Sequence, residues 1–335
     1  MTRKDFLKTA AGVAGAVAVS AHPSTALAAP AEATQWPGPK RAVSVYSYVD
    51  DLNSTCTLED CIEEIGSLGT DHYPVGVEIL TGAIEGYPNP SDAWVQKWHD
   101  MCAKNHVLPV ELGHWVDSKL YSEFEPWLST QESYEKLVQD IKLGNKLGFT
   151  RGRTKIGVID VGLDPVPNWK EFLKMALPIA EKYNFRMLTE VHDPTLLNAK
   201  VIDMYLEFIT KEKCSPWFGL NIDFSVFQNV NYQWHFWPGQ TTNDLTPKED
   251  GTYSKVSEMI PLLPYVHCCH AKFNNVNEDC EDLTIPYPDI MKTLKEHKWD
   301  GYMMSEYEGR DRPNGGAFAA VRRQHVLLRK LLGEA

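Results

Sequence analysis

The sequence lacks the features that would assign it to a disulfide-rich, nucleotide-binding or membrane-spanning class. Its seven cysteines are an odd number scattered over 335 residues, and no Cys-x-x-Cys pair occurs among them. This argues against a disulfide framework and a zinc knuckle, although Cys56 and Cys61 are close enough in sequence to pair outside the cytoplasm. No predicted strand is followed by the Gly-x-Gly-x-x-Gly turn of a dinucleotide-binding fold. After residues 1–29, no segment approaches the roughly 18 apolar residues of a membrane-spanning helix.

Positive charge is also scarce. The chain has 33 lysines and arginines against 45 aspartates and glutamates, which gives a formal net charge of −12. Such a surface repels phosphate backbones and anionic lipids, so we expect neither nucleic acid nor, for the mature chain, a membrane as partner. The hydrophobic content of 43% is that of an ordinary globular protein and permits one large core.

The N-terminal segment has the composition of an export signal. Basic residues precede an Ala/Gly/Val run over residues 9–20, and Ala26-Leu27-Ala28 supplies a small-residue cleavage site. The segment Thr2 to Lys8 resembles a twin-arginine signal in which Lys4 replaces the second arginine, so the ordinary secretory route stays open as well. We therefore predict a cleaved signal over residues 1–29 and export to the periplasm or beyond.

After a proline-rich linker over residues 30–41, short apolar strands alternate with amphipathic helices, which is typical of parallel βα units. Eight strands are predicted: Ala42 to Tyr48, Gly76 to Leu80, Val107 to Leu112, Lys155 to Val161, Arg186 to Glu190, Phe218 to Ile222, Val266 to His270 and Tyr302 to Glu306. This number of βα units predicts an α/β fold, a (β/α)8 TIM barrel, over residues 42–335. A doubly wound open sheet is the alternative.

Capping signals support the intervening helices. Thr57, with Asp60 three residues later, and Ser91 each predict a helix start. Two further helices are predicted over Thr130 to Gly148 and Ala317 to Leu332.

The last four predicted strands end in side chains that can bind a metal. They are Glu190, Asp223, His270 and Glu306, with Glu308 as an alternative to Glu306. Because functional side chains of a TIM barrel lie at the carboxyl ends of its strands, we expect these groups to converge. Three carboxylates and one imidazole suit Mn²⁺, with Mg²⁺, Co²⁺ or Zn²⁺ as alternatives. A cation would also neutralise carboxylates that otherwise repel one another.

These residues resemble the ligands of the xylose-isomerase-like TIM barrels, a family that includes sugar isomerases and ketose 3-epimerases. The family's third ligand lies in a His-x-Lys like His270-Ala271-Lys272, and its fourth in a Glu-Tyr pair like Glu306-Tyr307. The strand order matches over the whole mature chain, and the specific motifs lie in the last four strands. The resemblance implies that the four ligands hold one divalent cation and that the substrate is a carbonyl-bearing carbohydrate.

The chain also departs from the sugar epimerases. Val226 stands three positions after Asp223, where they have histidine, and no arginine follows His270 closely. These departures argue against ordinary sugar-phosphate substrates. The pair Glu190-x-His192 instead looks like the metal ligand and base of the large subunit of C-glycoside deglycosidases, which cleave 3-keto-glycosides by elimination.

Three functions follow as hypotheses. A metal-dependent isomerase or epimerase would exchange the proton next to a sugar carbonyl between Glu190 and Glu306. A keto-glycoside lyase would use His192 as the base and expel a group from the β carbon, after another enzyme has oxidised the glycoside. A non-catalytic carbohydrate-binding barrel would do neither.

Further residues are predicted to bind substrate because they lie after strands, within the resembling motifs or in the long segment between Asp223 and His270. They are Glu78, His114, Trp115, Trp234, Lys272 and Glu308. The aromatic residues around Trp234 either stack on sugar or aglycone faces or plug a long loop. We expect a small carbohydrate or glycoside as ligand, and either a homo-oligomer or a small partner subunit is compatible with the sequence.

Overall fold

Eight parallel strands, each hydrogen-bonded to its sequence neighbours, close into a barrel because the last strand pairs with the first. The computed structural model describes residues 38–52, 54–113, 128–154, 166–231, 245–309 and 311–334. The strands are β1 (Lys40–Ser44), β2 (Gly76–Leu80), β3 (Leu108–Gly113), β4 (Arg151–Thr154), β5 (Arg186–Val191), β6 (Phe218–Asp223), β7 (Val266–Phe273) and β8 (Tyr302–Tyr307). The predicted (β/α)8 barrel is confirmed, and the open sheet is wrong. The predicted export signal lies outside the described residues.

Helices alternate with these strands in the described ranges. The longer ones are α1 (Leu58–Ser67), α2 (Asp92–Lys104), α3 (Thr130–Lys146), α4 (Trp169–Lys182), α5 (Lys200–Glu212), α6 (Tyr287–Glu296) and α7 (Ala317–Leu332). A single α-helical turn spans Val49–Leu52, and 3₁₀ helices span Val45–Tyr48, Thr81–Ala83, Phe224–Phe227, Val256–Tyr265 and Arg312–Asn314. None of the described helices combines the length and apolarity needed to cross a membrane.

The first strand ends earlier in the chain than predicted. It ends at Ser44, and Val45–Tyr48, predicted as its continuation, forms a 3₁₀ helix. The Ser44 hydroxyl accepts a hydrogen bond from the amide of Tyr46 and so favours a turn over further extension.

The described part of the fourth strand precedes the predicted segment. The predicted segment, Lys155 to Val161, lies outside the described residues, whereas β4 is formed by Arg151–Thr154. The polar sequence Arg-Gly-Arg-Thr does not have the apolar pattern by which a buried strand is recognised. This strand brings Arg153 into the barrel.

The predicted helix starts are found where the capping signals stand. The Thr57 hydroxyl accepts from the amide of Asp60, and the Asp60 carboxylate accepts from the amide of Thr57, which completes a capping box at the start of α1. At the start of α2, the Ser91 hydroxyl accepts from the amide of Trp94. Gly333, with φ of 78°, ends α7 in the left-handed conformation.

Apolar side chains from five of the strands pack together inside the barrel. Ala42, Val110, Leu188 and Cys268 come from β1, β3, β5 and β7 and form one buried cluster with Met304 of β8. Such layering is expected of a barrel whose interior is a packed core. All seven cysteines are free thiols, and the Sγ atoms of Cys56 and Cys61 lie 3.6 Å apart.

Candidate metal centre

The four predicted ligands meet at the carboxyl end of the barrel. One ligand atom from each of Glu190, Asp223, His270 and Glu306 lies within 4.8 Å of the others. The His270 Nδ1 atom is 3.0 Å from Glu190 Oε1, 3.2 Å from Glu306 Oε2 and 3.8 Å from Asp223 Oδ2. The strand register brings this about, since Asp223 of β6 pairs with His270 of β7. Glu306, and not Glu308, belongs to this four-ligand cluster.

The cluster has the chemistry of a cation site. The Oδ2 atom of Asp223 is buried and has no hydrogen-bond partner among the described residues. Burial raises the pKa of Asp223, which means that its ionised form lacks full compensation. A divalent cation would supply that compensation, and three carboxylates with one imidazole form a set of mostly hard, oxygen ligands. The residues therefore fit the metal that the sequence resemblance implied.

Two further carboxylates are buried inside the barrel, next to the four-ligand cluster. Glu78 on β2 and Glu111 on β3 are each 0% exposed and carry an oxygen without a hydrogen-bond partner in the described ranges. Burial, together with the nearby charge of Glu78, raises the pKa of Glu111 to about 6. Asn221 Nδ2 donates to Glu111 Oε1 at 3.3 Å. Neither Glu111 nor Asn221 was predicted as a site residue, because both lie inside strands and not at their ends.

The ring of His270 stands between two carboxylate groups. Its Nδ1 faces the four-ligand cluster, and its Nε2 is 3.6 Å from Glu78 Oε2. Burial opposes protonation of His270, but Glu306 and Glu78 raise its pKa well above the usual value. With a proton on Nε2 directed at Glu78, the Nδ1 lone pair is available to a metal, as in carboxylate–histidine–metal arrangements. Glu78, predicted to bind substrate, is thus placed behind a metal ligand.

Arg153 links Glu78 to the four-ligand cluster. Its Nε donates to Glu78 Oε1 at 2.9 Å, and its Nη1 donates to Glu190 Oε2 at 3.0 Å. The Arg153 side chain is only 4% exposed. Because Arg153 is buried and paired with both carboxylates, its side chain is held in one geometry, and its positive charge keeps Glu78 and Glu190 ionised. Arg153 was not predicted as a site residue, because it precedes the segment that was predicted as the fourth strand.

Lys272 occupies the other side of the cluster. Its Nζ is 2.8 Å from Glu306 Oε2, 3.1 Å from Glu308 Oε2 and 3.6 Å from Asp223 Oδ2. Burial alone would raise the pKa of Glu306, but Lys272 and His270 hold it well below its usual range. Lys272 and Glu308 were both predicted to bind substrate, and the structure puts both next to Glu306, with the Glu308 side chain 18% exposed.

His192 lies beside the cluster and is open to solvent. Its side chain is 24% exposed, and its Nε2 is 3.9 Å from Asp223 Oδ2. The Nδ1 atom is 2.5 Å from the carbonyl oxygen of Asp193. A carbonyl can only accept, so Nδ1 carries a proton and donates it. In the neutral ring, Nε2 is then the nitrogen with the free lone pair.

The remaining predicted substrate-binding residues cannot be placed. His114 and Trp115, and Trp234 with its aromatic neighbours, lie outside the described residues. Their roles stay predictions from the sequence.

Glu78 offers a test of how the metal ligand His270 is held. We expect Glu78→Gln to weaken Mn²⁺ binding by about 10- to 100-fold, because the ring loses the carboxylate that orients it. Competition between the protein and a chelating dye measures this affinity. The matched control is Glu64→Gln, which removes a buried carboxylate paired with Arg322 on the outside of the barrel. Equal Mn²⁺ affinity in the wild type and Glu78→Gln would contradict the assignment.

Comparison with known proteins identifies two kinds of relative. The C-glycoside deglycosidase alpha subunit of Arthrobacter globiformis is 23% identical over 347 residues, covering 89% of this chain and 94% of that protein. The 3'-dehydrocarminate deglycosidase alpha subunit of a Microbacterium species is 20% identical over 351 residues, covering 88% of this chain and 96% of that protein. The structure of D-psicose 3-epimerase with D-tagatose from Clostridium cellulolyticum H10 is similar in fold, with a TM-score of 0.60 at 13% identity, covering 88% of this chain and 100% of that chain.

The family comparison covers most of the barrel. The model of the xylose isomerase-like TIM barrels matches residues 75–330, a range that contains all four candidate ligands, His192 and Lys272. The resemblance seen in the sequence is thereby confirmed at the level of the family. The chain belongs to the xylose isomerase-like TIM barrel family.

Proposed function

We propose that this protein is a metal-dependent lyase that removes the aglycone from a 3-keto-glycoside. The observation that carries the proposal is an accessible histidine, His192, next to a buried four-ligand cluster. Full-length relatives named as deglycosidase alpha subunits support the choice of substrate class. The proposed lyase reaction and sugar epimerisation share their first step, which is removal of a proton next to a carbonyl.

In the proposed reaction, the four-ligand cluster binds the metal and His192 transfers the proton. A divalent cation held by the four-ligand cluster would polarise the sugar carbonyl and make the neighbouring C–H acidic. His192 Nε2 accepts the C2 proton of the 3-keto sugar, and the C2 electron pair forms a C1–C2 double bond as the C1–aglycone bond breaks. The aglycone leaves with the bonding electron pair and takes up a proton. The products are the free aglycone and an unsaturated keto sugar.

The charges around the two glutamates favour His192 as the proton acceptor. Glu190 is paired with Arg153, and Glu306 with Lys272. These cations stabilise the ionised carboxylates, which suits metal ligands and opposes proton uptake. Proton exchange between Glu190 and Glu306, the sequence-based prediction for an epimerase, is therefore the second candidate. It retains support from the closeness of both carboxylates to His270 Nδ1, at 3.0 and 3.2 Å.

A partner subunit and an exported location belong to the same proposal. The relatives are named as alpha subunits, and we propose that this chain too works with a second subunit. The signal-like segment 1–29 would place the reaction outside the cytoplasm. The 3-keto group requires an oxidation that these residues do not perform, so an oxidising enzyme must act on the glycoside first.

Incubation in D₂O distinguishes the candidate functions. We expect Mn²⁺-loaded protein to release 4-nitrophenol from 4-nitrophenyl 3-keto-β-glucoside and to leave an unsaturated keto sugar. The unoxidised 4-nitrophenyl glucoside is the matched control and should not react, because its C2 proton is not acidic. Deuterium uptake into intact keto-glycoside or ketose without release would favour the epimerase. Binding without either change would favour a carbohydrate-binding barrel and contradict the proposal.

A further inference from the structure

A cavity lies at the opposite end of the barrel from the metal centre. Its volume is about 470 Å³, within the roughly 300–1,000 Å³ range of small-molecule sites. The residues that line it include the first residues of five strands: Lys40, Arg151, Arg186, Val266 and Tyr302. The four-ligand cluster uses the other ends of strands, so the two sites do not share residues.

Positive charge dominates the lining of this amino-end cavity. The lining contains the four cationic side chains of Lys40, Arg151, Arg186 and Lys298 and a single carboxylate, that of Asp300. Burial, with Arg151 nearby, lowers the pKa of Lys40 despite Asp300. Burial and Arg151 likewise lower the pKa of Arg186. The cations therefore repel one another in a partly desolvated space, and an anion among them would relieve that repulsion.

Arg151 lines the cavity and has one buried donor without a partner among the described residues. Its residue is 9% exposed, and its Nη1 donates to the carbonyl oxygen of His267 at 2.8 Å. Its guanidinium carbon lies 5.2 Å from the centre of the Tyr302 ring, which holds the group in place. The buried Nε has no hydrogen-bond partner among the described residues. Buried donors are nearly always satisfied by protein or by ordered water, so this nitrogen lacks the acceptor that is usual at its burial.

An apolar wall completes the amino-end cavity. Trp299, Leu263 and Pro264 line it together with Tyr302. The Trp299 indole nitrogen donates to the carbonyl oxygen of Val266 at 2.7 Å, which fixes the ring. Cations beside fixed aromatic rings suit a ligand that has both an anionic group and an apolar body.

We propose that the amino-end cavity is a second ligand site that binds a phosphate group through Arg151, Arg186 and Lys40. A doubly charged phosphate is favoured over a singly charged carboxylate because two guanidinium groups and an ammonium group line the same cavity. The phosphate is either free or part of a small organic ester, and the apolar wall favours the ester. The proposal does not depend on the reaction at the metal centre.

Calorimetric titration of the full-length protein tests this site. The probes are inorganic phosphate and phenyl phosphate, with phenol as the neutral comparison. We expect saturable binding of phenyl phosphate, weaker binding of phosphate and none of phenol. Arg186→Gln and Lys40→Gln should each weaken binding by tenfold or more, whereas Lys142→Gln, on the exposed face of α3, should not change it.

Two results would overturn the proposal. One is the absence of saturable binding of either phosphate probe to the wild type. The other is binding that survives Arg186→Gln and Lys40→Gln but disappears in Asp223→Asn, which would assign the phosphate to the metal centre. Circular dichroism of each variant establishes that the fold is intact. Unchanged binding of phenyl phosphate in Asp223→Asn supports a site at the amino end.

Discussion

His192→Gln is expected to slow aglycone release by about 100- to 10,000-fold, the usual contribution of a positioned general base. The substitution keeps a polar side chain of similar size but removes the nitrogen that accepts the proton. Bound Mn²⁺ should stay at the wild-type level, since His192 Nε2 lies 3.9 Å from Asp223 and outside the four-ligand cluster. Steady-state release of 4-nitrophenol, with metal analysis of the same sample, measures both quantities.

His72→Gln provides the control for this substitution, because His72 is exposed and makes no contact with the metal centre. Its turnover should equal that of the wild type. If His192→Gln retains full turnover, elimination by this histidine is wrong, and proton exchange between Glu190 and Glu306 becomes the better account. If His192→Gln loses Mn²⁺ together with turnover, the residue is a ligand and not a base.

Asp223→Asn is expected to remove both bound metal and turnover. The substitution replaces the carboxylate, whose buried Oδ2 has no hydrogen-bond partner among the described residues, with a neutral amide. Loss of the cation withdraws several kcal/mol of charge stabilisation from the transition state, which corresponds to a rate lower by about three orders of magnitude. Equilibrium dialysis against Mn²⁺ and release of 4-nitrophenol are the measurements.

Asp140→Asn separates this effect from the loss of any buried aspartate. Asp140 lies on α3, is 5% exposed and accepts a hydrogen bond from the Tyr87 hydroxyl at 3.0 Å. Its variant should bind Mn²⁺ as the wild type does. Turnover by metal-free Asp223→Asn at the wild-type rate would show that the reaction needs no metal.

The convergence of the four candidate ligands could be predicted from the sequence because of one property of parallel barrels. Every strand points the same way, so residues far apart in sequence, such as Glu190 and Glu306, meet at one end of the barrel. A polar side chain at a strand end therefore has a predictable position before any contact is known. The strand pattern was strong enough to place the ends of the last four strands within one to three residues.

The groups behind the ligands could not be predicted in this way. Arg153 lies in a strand whose sequence is polar, and Glu111 lies inside a strand that otherwise appeared apolar. Their burial is tolerable only because partners on other strands compensate them, as Glu78 and Glu190 do for Arg153. Such compensation depends on three-dimensional neighbours, which local sequence patterns do not contain. The sequence favoured Glu306 over Glu308, and the structure agrees, since Glu306 pairs with Lys272 in the strand register and belongs to the four-ligand cluster.

The metal content of the purified full-length protein tests the central claim most directly. After loading with Mn²⁺ and exhaustive dialysis, we predict one tightly bound divalent ion per chain in the wild type and in Asp140→Asn, and none in Asp223→Asn. Wild-type protein that keeps no ion under these conditions, or an Asp223→Asn variant that keeps as much as the wild type, would contradict the account.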